Sequence, residues 1–485
     1  MFTRREVLKA SGFVIAGLAS GVHKSYAKII APASPGNPYP WEESKRPLPK
    51  DRHFVSESVE ATIDRMKKNI VDEELAWLFE NCFPNTLDTT VEYREEQGEP
   101  DTFVITGDIE AMWLRDSSAQ VWPYIPLIRD DKKLARMIAG VVNRQTKCIL
   151  IDPYANAFNF AATGSEWESD LTDMKKELHE RKWEIDSLCY PIRLAYGYWK
   201  ASGDASVFSL RWREAMKLIV KTFREQQRYA NKGPYHFMRT TAVSCDTVPL
   251  GGYGNPTRSC GMIHSMFRPS DDSCIFPLLT SSNLFAIVSL RQLGEIFSNE
   301  LREKDFSREC IDLADVIERS VHEHALGHVS KFGTIYSYEI DGFGNKLFMD
   351  DANVPSLLSL PYLGCCASND PLYQNTRAFV LSEDNPYFFK GKSGEGIGGP
   401  HVGLSMIWPI GIIMRALTSS HDGEIAHCLH MLKNTHAGTG FMHESFDKDD
   451  SSKFTRNWFA WANTLFGELL VTIDRERPSL LKRAY

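Results

Sequence analysis

Apolar residues in this chain recur every three or four positions, stretch after stretch, and almost never at alternate positions. That period turns one face of an α-helix toward a core, whereas a half-buried strand needs alternation. The windows that carry it are residues 59–79, 117–128, 132–150, 184–200, 206–229, 276–298 and 308–324, then 354–360, 373–381, 404–418, 424–434 and 458–473. Strand-like alternation is confined to 102–106 and 334–339. The chain therefore reads as all-α. No Gly/Ser-rich linker, fixed repeat or charge block divides its 485 residues, which favours one large domain. About a dozen helices joined by long polar and aromatic loops suit helical hairpins arranged in a ring, with the loop ends gathered around a central pocket. A helical solenoid would give a similar pattern with more uniform repeats.

The first residues follow a different rule. Thr3-Arg4-Arg5, an apolar run over 12–22 and small residues at Ser25 and Ala27 resemble a twin-arginine export signal. This divides the chain into an export signal over 1–27, a proline-rich lead-in over 28–50 and a catalytic domain over 51–485, with an exported, periplasmic product. No other stretch has the ~20 consecutive apolar residues of a membrane span, so no span is expected after signal cleavage. A net charge of −8 without a basic stripe excludes nucleic acid as a partner. Ten scattered cysteines lack a CxxC pair for zinc, and one or two disulfides stay open.

Three segments concentrate chemistry. Gly107 to Tyr124 holds Asp108, Trp113, Arg115 and Asp116, where a helix should begin. Carboxylates accept from sugar hydroxyls, arginine donates to them, and tryptophan offers an apolar face to ring C–H groups. The same residues also read as an ordinary helix entry, with Asp116 as cap and Trp113 in the core. The second segment, Phe267-Arg268-Pro269-Ser270-Asp271-Asp272, places adjacent carboxylates before a helix. They are either caps or, if buried together, a pair in which one carboxyl keeps its proton. The third holds Glu444 among glycines, aromatics and His443, followed by Arg456, Trp458 and Asn463; a loop carboxylate there is either solvated or faces a pocket and holds a water. No HExxH, EF-hand, GxSxG or phosphate-loop spacing occurs, so neither metal nor cofactor is expected.

Gly-Asp-Ile-Glu-Ala-Met-Trp-Leu-Arg-Asp-Ser-Ser-Ala-Gln-Val from Gly107, Phe-Arg-Pro-Ser-Asp-Asp from Phe267, Met-His-Glu-Ser-Phe from Met442 and Trp-Phe-Ala-Trp-Ala-Asn from Trp458 together resemble the motifs of glycoside hydrolase family 125. The resemblance implies an (α/α)6 barrel and an exo-acting, inverting α-mannosidase that removes terminal α-1,6-linked mannose from glycans without a metal. It implies Asp271 as general acid, with Asp272 as the alternative, and Glu444 as general base. Sugar-binding candidates are Asp108, Arg115 and Asp116, with His401, Arg456 and Asn463, and platforms from Trp113, Tyr253, Trp408 and Trp458. An inverting pair stands roughly 6.5 to 9.5 Å apart to admit water. The rivals are another inverting glycosidase on the same barrel, of the glucoamylase kind, and a glycan-binding protein without catalysis.

Overall fold

The computed structural model describes residues 43–485; the segment read as an export signal and most of the expected lead-in lie outside the described residues. The helices fall into two classes by burial. Leu114–Val121 (α3), Ile185–Ser202 (α5), Thr280–Asn299 (α7), Pro409–Leu417 (α10) and Ala460–Glu476 (α12) are buried on nearly every face. Glu57–Asn69 (α1), Leu210–Gln226 (α6), Lys304–His324 (α8), Pro371–Val380 (α9) and Asp422–Asn434 (α11) bury one stripe only, whereas the outer helix Lys132–Ile151 (α4) is also covered from outside by the strand Glu99–Val104. A helix apolar on most faces must be covered on all sides, and an amphipathic one covers it; α3 is the exception, buried although it carries Arg115, Asp116, Ser117, Ser118 and Gln120.

The order along the chain alternates the classes. Each of α3, α5, α7 and α10 is followed by an outer helix, and α12 closes the ring by packing on α3 and on Glu73–Cys82 (α2). The sixth inner position is filled by the turns of residues 354–364, bound through Tyr190 to the Val354 carbonyl and Ser281 to the Pro355 carbonyl. The result is the expected (α/α)6 barrel.

The structure departs from the predicted helices in three places. Window 59–79 is two helices, because Asp72 accepts from the Leu75 amide and starts α2 afresh. Window 117–128 begins earlier, at Leu114, and Pro123 and Pro126 tighten its second half into a 3-10 turn, Trp122–Leu127. Window 354–360 forms no helix. Side chains claim its amides: Asp350 takes Leu357 and Leu358, and Ser359 takes Ser356. The packed body also reaches back into the lead-in, where the buried Arg46 guanidinium binds Glu60 and Asp88. All ten cysteines are free, and no described helix is long and apolar enough to cross a membrane.

Short strands precede the inner helices. Met112–Trp113 leads into α3 and joins Ala157–Phe158 and Leu178–Glu180 in one antiparallel sheet. Leu278–Leu279 leads into α7 and pairs with Glu339–Ile340, and Met406–Ile407 before α10 pairs with Ser445–Asp447, which pairs with Phe454–Thr455 before α12. These strands carry the three segments singled out in the sequence to one end of the barrel.

Candidate active site

Arg115, in the first turn of α3, is buried and surrounded by carboxylates. Its Nη1 donates to Glu184 Oε2 at 2.6 Å and lies 3.4 Å from Asp186 Oδ2; its Nη2 donates to Asp271 Oδ1 at 3.2 Å, and its Nε stands 3.4 Å from Asp116 Oδ2. Taking several like charges out of water is costly, and one guanidinium in the middle offsets much of that cost. Burial pushes Asp186 up to about 6, against the pull of Arg115.

Asp271 and Asp272 point in different directions. Asp271 has φ +65°, a left-handed conformation that aspartate tolerates better than most residues, and its amide donates to the Arg268 carbonyl in a tight turn. The Asp271 carboxylate accepts from Arg115 and, at 3.3 Å, from Asn156. Asp272 instead reaches His401, with Nδ1 to Oδ1 at 3.1 Å. The Asp271 side chain is 21% exposed and that of Asp272 only 3%, so Asp271 is the one open to a ligand. Burial opposes a charge on His401, yet the Asp272 carboxylate outweighs it, aided by Glu444 and Asp271, and the imidazole is raised to about 9.

Glu444 sits just before the strand Ser445–Asp447 and is buried, with Oε1 at 3.6 Å from Arg456 Nη1. Arg456 also donates to Asp108 Oδ1 at 2.7 Å through Nε and to the Thr106 carbonyl at 2.6 Å through Nη2. Thr106 in turn donates from its hydroxyl to Asp116 Oδ1 at 2.6 Å. A continuous polar chain thus runs Asp271, Arg115, Asp116, Thr106, Arg456, Glu444. Asp116 is therefore not the cap of its helix; it lies inside the first turn, and burial raises its carboxyl above the ordinary range despite Arg115.

Not every sequence candidate joins this cluster. Asn463 is fully buried and spends both ends of its amide on the protein: Oδ1 accepts from the Met442 amide at 2.8 Å and Nδ2 donates to Asn85 at 3.1 Å. It holds the loop that carries Glu444. Trp458 donates to the same Asn85 and lines a cavity of about 360 Å³ with Phe441 and Asn457. The Tyr253 ring is tilted against that of His236, centroids 6.1 Å apart, with the Lys232 ammonium 4.9 Å from its centre. Trp408 is buried behind His401, ring centroids 6.2 Å apart, and Trp113 packs with Ala111 and Ala157 against the edge of His179.

The sequence reading missed Glu184, Asp186, Asn156, Glu180 and Lys182. Asn156 bridges Asp271 and Glu180, while Lys182 lies 3.2 Å from Glu180 and 2.7 Å from Asp246. Their one signal was a pair of acids at the start of the window at 184, indistinguishable there from capping. Among the described residues, no group of three or more His, Cys, Asp and Glu side chains is placed to hold a metal ion; the cation at the centre is Arg115.

The family model described as metal-independent alpha-mannosidase (GH125) matches residues 72–471. A Schizosaccharomyces pombe protein, the meiotically up-regulated gene 157 protein, is 42% identical over 458 residues, covering 90% of each chain. The structure of a Streptococcus pneumoniae metal-independent alpha mannosidase, in a non-productive substrate complex with alpha-1,6-mannobiose, superposes with a TM-score of 0.84 at 41% identity, covering 88% of this chain and 100% of that one. The chain belongs to glycoside hydrolase family 125, the metal-independent α-mannosidases.

Proposed function

We propose that this α-mannosidase removes terminal α-1,6-linked mannose by an exo-acting, single-displacement reaction that inverts the anomeric centre. The observation that carries the reading is the separation of two carboxylates into different settings on one polar chain. Asp271 is held by Arg115 and Asn156; Glu444 is held by Arg456. Asp271 protonates the departing glycosidic oxygen as the C1–O bond breaks and that oxygen keeps the electron pair. Glu444 takes a proton from the water whose oxygen bonds to C1 from the opposite face. Arg115 and Arg456 orient the two groups, and Asp108, Asp116 and His401 are the donors and acceptors left for the hydroxyls of one sugar. The α-1,6-mannobiose in the pneumococcal structure supports this linkage.

The test is proton NMR of freshly mixed enzyme and α-1,6-mannobiose, with α-1,2- and α-1,3-linked isomers alongside. β-Mannose released first, and from the 1,6 isomer preferentially, is expected. α-Mannose as the first product, or glucose released from glucosides but no mannose, would overturn the reading. Treatment with a chelator should leave the rate unchanged, as a metal-independent enzyme requires.

A further inference from the structure

A general acid must hold a proton, yet Asp271 is built to be an anion. Burial is the largest influence and opposes its charge, but Arg115, a hydrogen bond from Glu184, Lys182 and His401 together outweigh it, and Asp271 is held well below the usual carboxylate range. A second carboxyl stands beside it on the same guanidinium. Glu184, immediately before α5, is fully buried. Its Oε2 accepts from Arg115 at 2.6 Å and from Ser187 at 2.8 Å, while its Oε1, equally buried, has no donor among the described residues. The Glu184 and Asp271 carboxyls are within hydrogen-bonding reach of each other, on adjacent nitrogens of one guanidinium. A bare carboxylate oxygen in that position would be costly, whereas a carboxyl O–H donating to Asp271 satisfies both groups. Around the pair stand Arg115, Lys182 and His401 as cations and Asp116, Glu180 and Asp186 as acids. Burial, with the charges of Asp271 and Asp186 added, pushes Glu184 far above the ordinary range in spite of Arg115.

We propose that Glu184 is the positioning residue and proton store of the general acid: it donates to Asp271 at rest and passes that proton through Asp271 to the leaving oxygen. This rests on the reading of Asp271 as acid and Glu444 as base. The single proton of the pair moves from Glu184 to Asp271 and from Asp271 to the glycosidic oxygen. Water attacks C1 and gives its proton to Glu444. As product leaves, solvent water entering at the partly exposed Asp271 returns one proton to the pair, and Glu444 releases one to solvent.

The experiment compares two substrates in Glu184→Gln, whose amide still donates to Asp271 but cannot transfer a proton. α-1,6-Mannobiose needs its leaving group protonated; α-mannosyl fluoride does not. We expect kcat on mannobiose to fall by about 100-fold or more and kcat on the fluoride to stay within a few-fold of wild type. Glu184→Asp, still an acid, should recover part of the mannobiose rate with the alkaline limb of its pH profile at lower pH. Near-normal mannobiose hydrolysis by Glu184→Gln, or an equal loss on both substrates, would overturn the proposal. If Glu184→Gln does not fold, an alkaline limb unchanged in Glu184→Asp overturns it. Failure of the underlying reading looks different: wild type then cleaves neither substrate, or Asp271→Asn stays active on mannobiose.

Discussion

Each functional side chain here is defined by what its neighbours leave it able to do. Glu444 has one arginine beside it and a buried setting, so Glu444→Gln should lower hydrolysis of α-1,6-mannobiose by about 10²- to 10⁴-fold, because an amide cannot take the proton from water. Mannose binding, read by calorimetry, should survive. Arg115 is the cation that makes the carboxylate cluster tolerable. Arg115→Met should therefore cost about 3–5 kcal/mol in urea unfolding, the scale for leaving buried charges unpaired. His401 gives a pH test. Its folded value of about 9 lies above the ordinary histidine range, so its contribution to stability is fully present below about pH 6.5 and is lost as pH rises through about 9. The difference in melting temperature between wild type and His401→Gln should be largest at pH 6 and close by pH 10. Residue identities were legible at this scale, since Asp271, Glu444 and Arg115 stand in the quoted motifs and Arg456 lies two residues before the last of them. What the sequence left ambiguous was direction: the positive φ at Asp271 is what turns two adjacent aspartates to different partners.

At the scale of elements, the site is assembled by short strands that carry loops to the first turns of buried helices. Periodicity located most helices to within a few residues, because burial of an apolar face is written into spacing. It could not find two-residue strands, or the amide-capturing side chains that keep residues 354–364 in turns. Asn463 shows how an inner helix serves the base: from the first turn of α12 it holds the Met442 amide, two residues before Glu444. Asn463→Ala leaves that buried amide without an acceptor, which costs about 1–3 kcal/mol. The expected signature is a fall in kcat larger than the change in KM for mannobiose, together with a lower melting temperature; a change in KM alone would place Asn463 in sugar binding instead.

The whole molecule is a ring, and a ring is only as stable as its seam. The seam lies where α12 meets α2 and α3, and Gly467 allows the approach: a Cβ there would stand 2.5 Å from Phe83 Cδ2 and 2.9 Å from its Cα. Gly467→Leu should cost about 1–3 kcal/mol by overpacking, measured by urea unfolding, with loss of activity tracking loss of fold. By itself the sequence determined the all-α class, the alternation of helices with long loops and the motif residues of the family, because these depend on local spacing and on residue type. Only the tertiary structure decided that Glu184, Asp186 and Asn156 belong to the site, that Asn463 and Trp458 serve Asn85 and the base loop, and that Asp271 rather than Asp272 faces outward. Those facts depend on which distant segments the closed ring brings within hydrogen-bonding distance and on how far each charge is removed from water, and neither is a property of spacing along the chain.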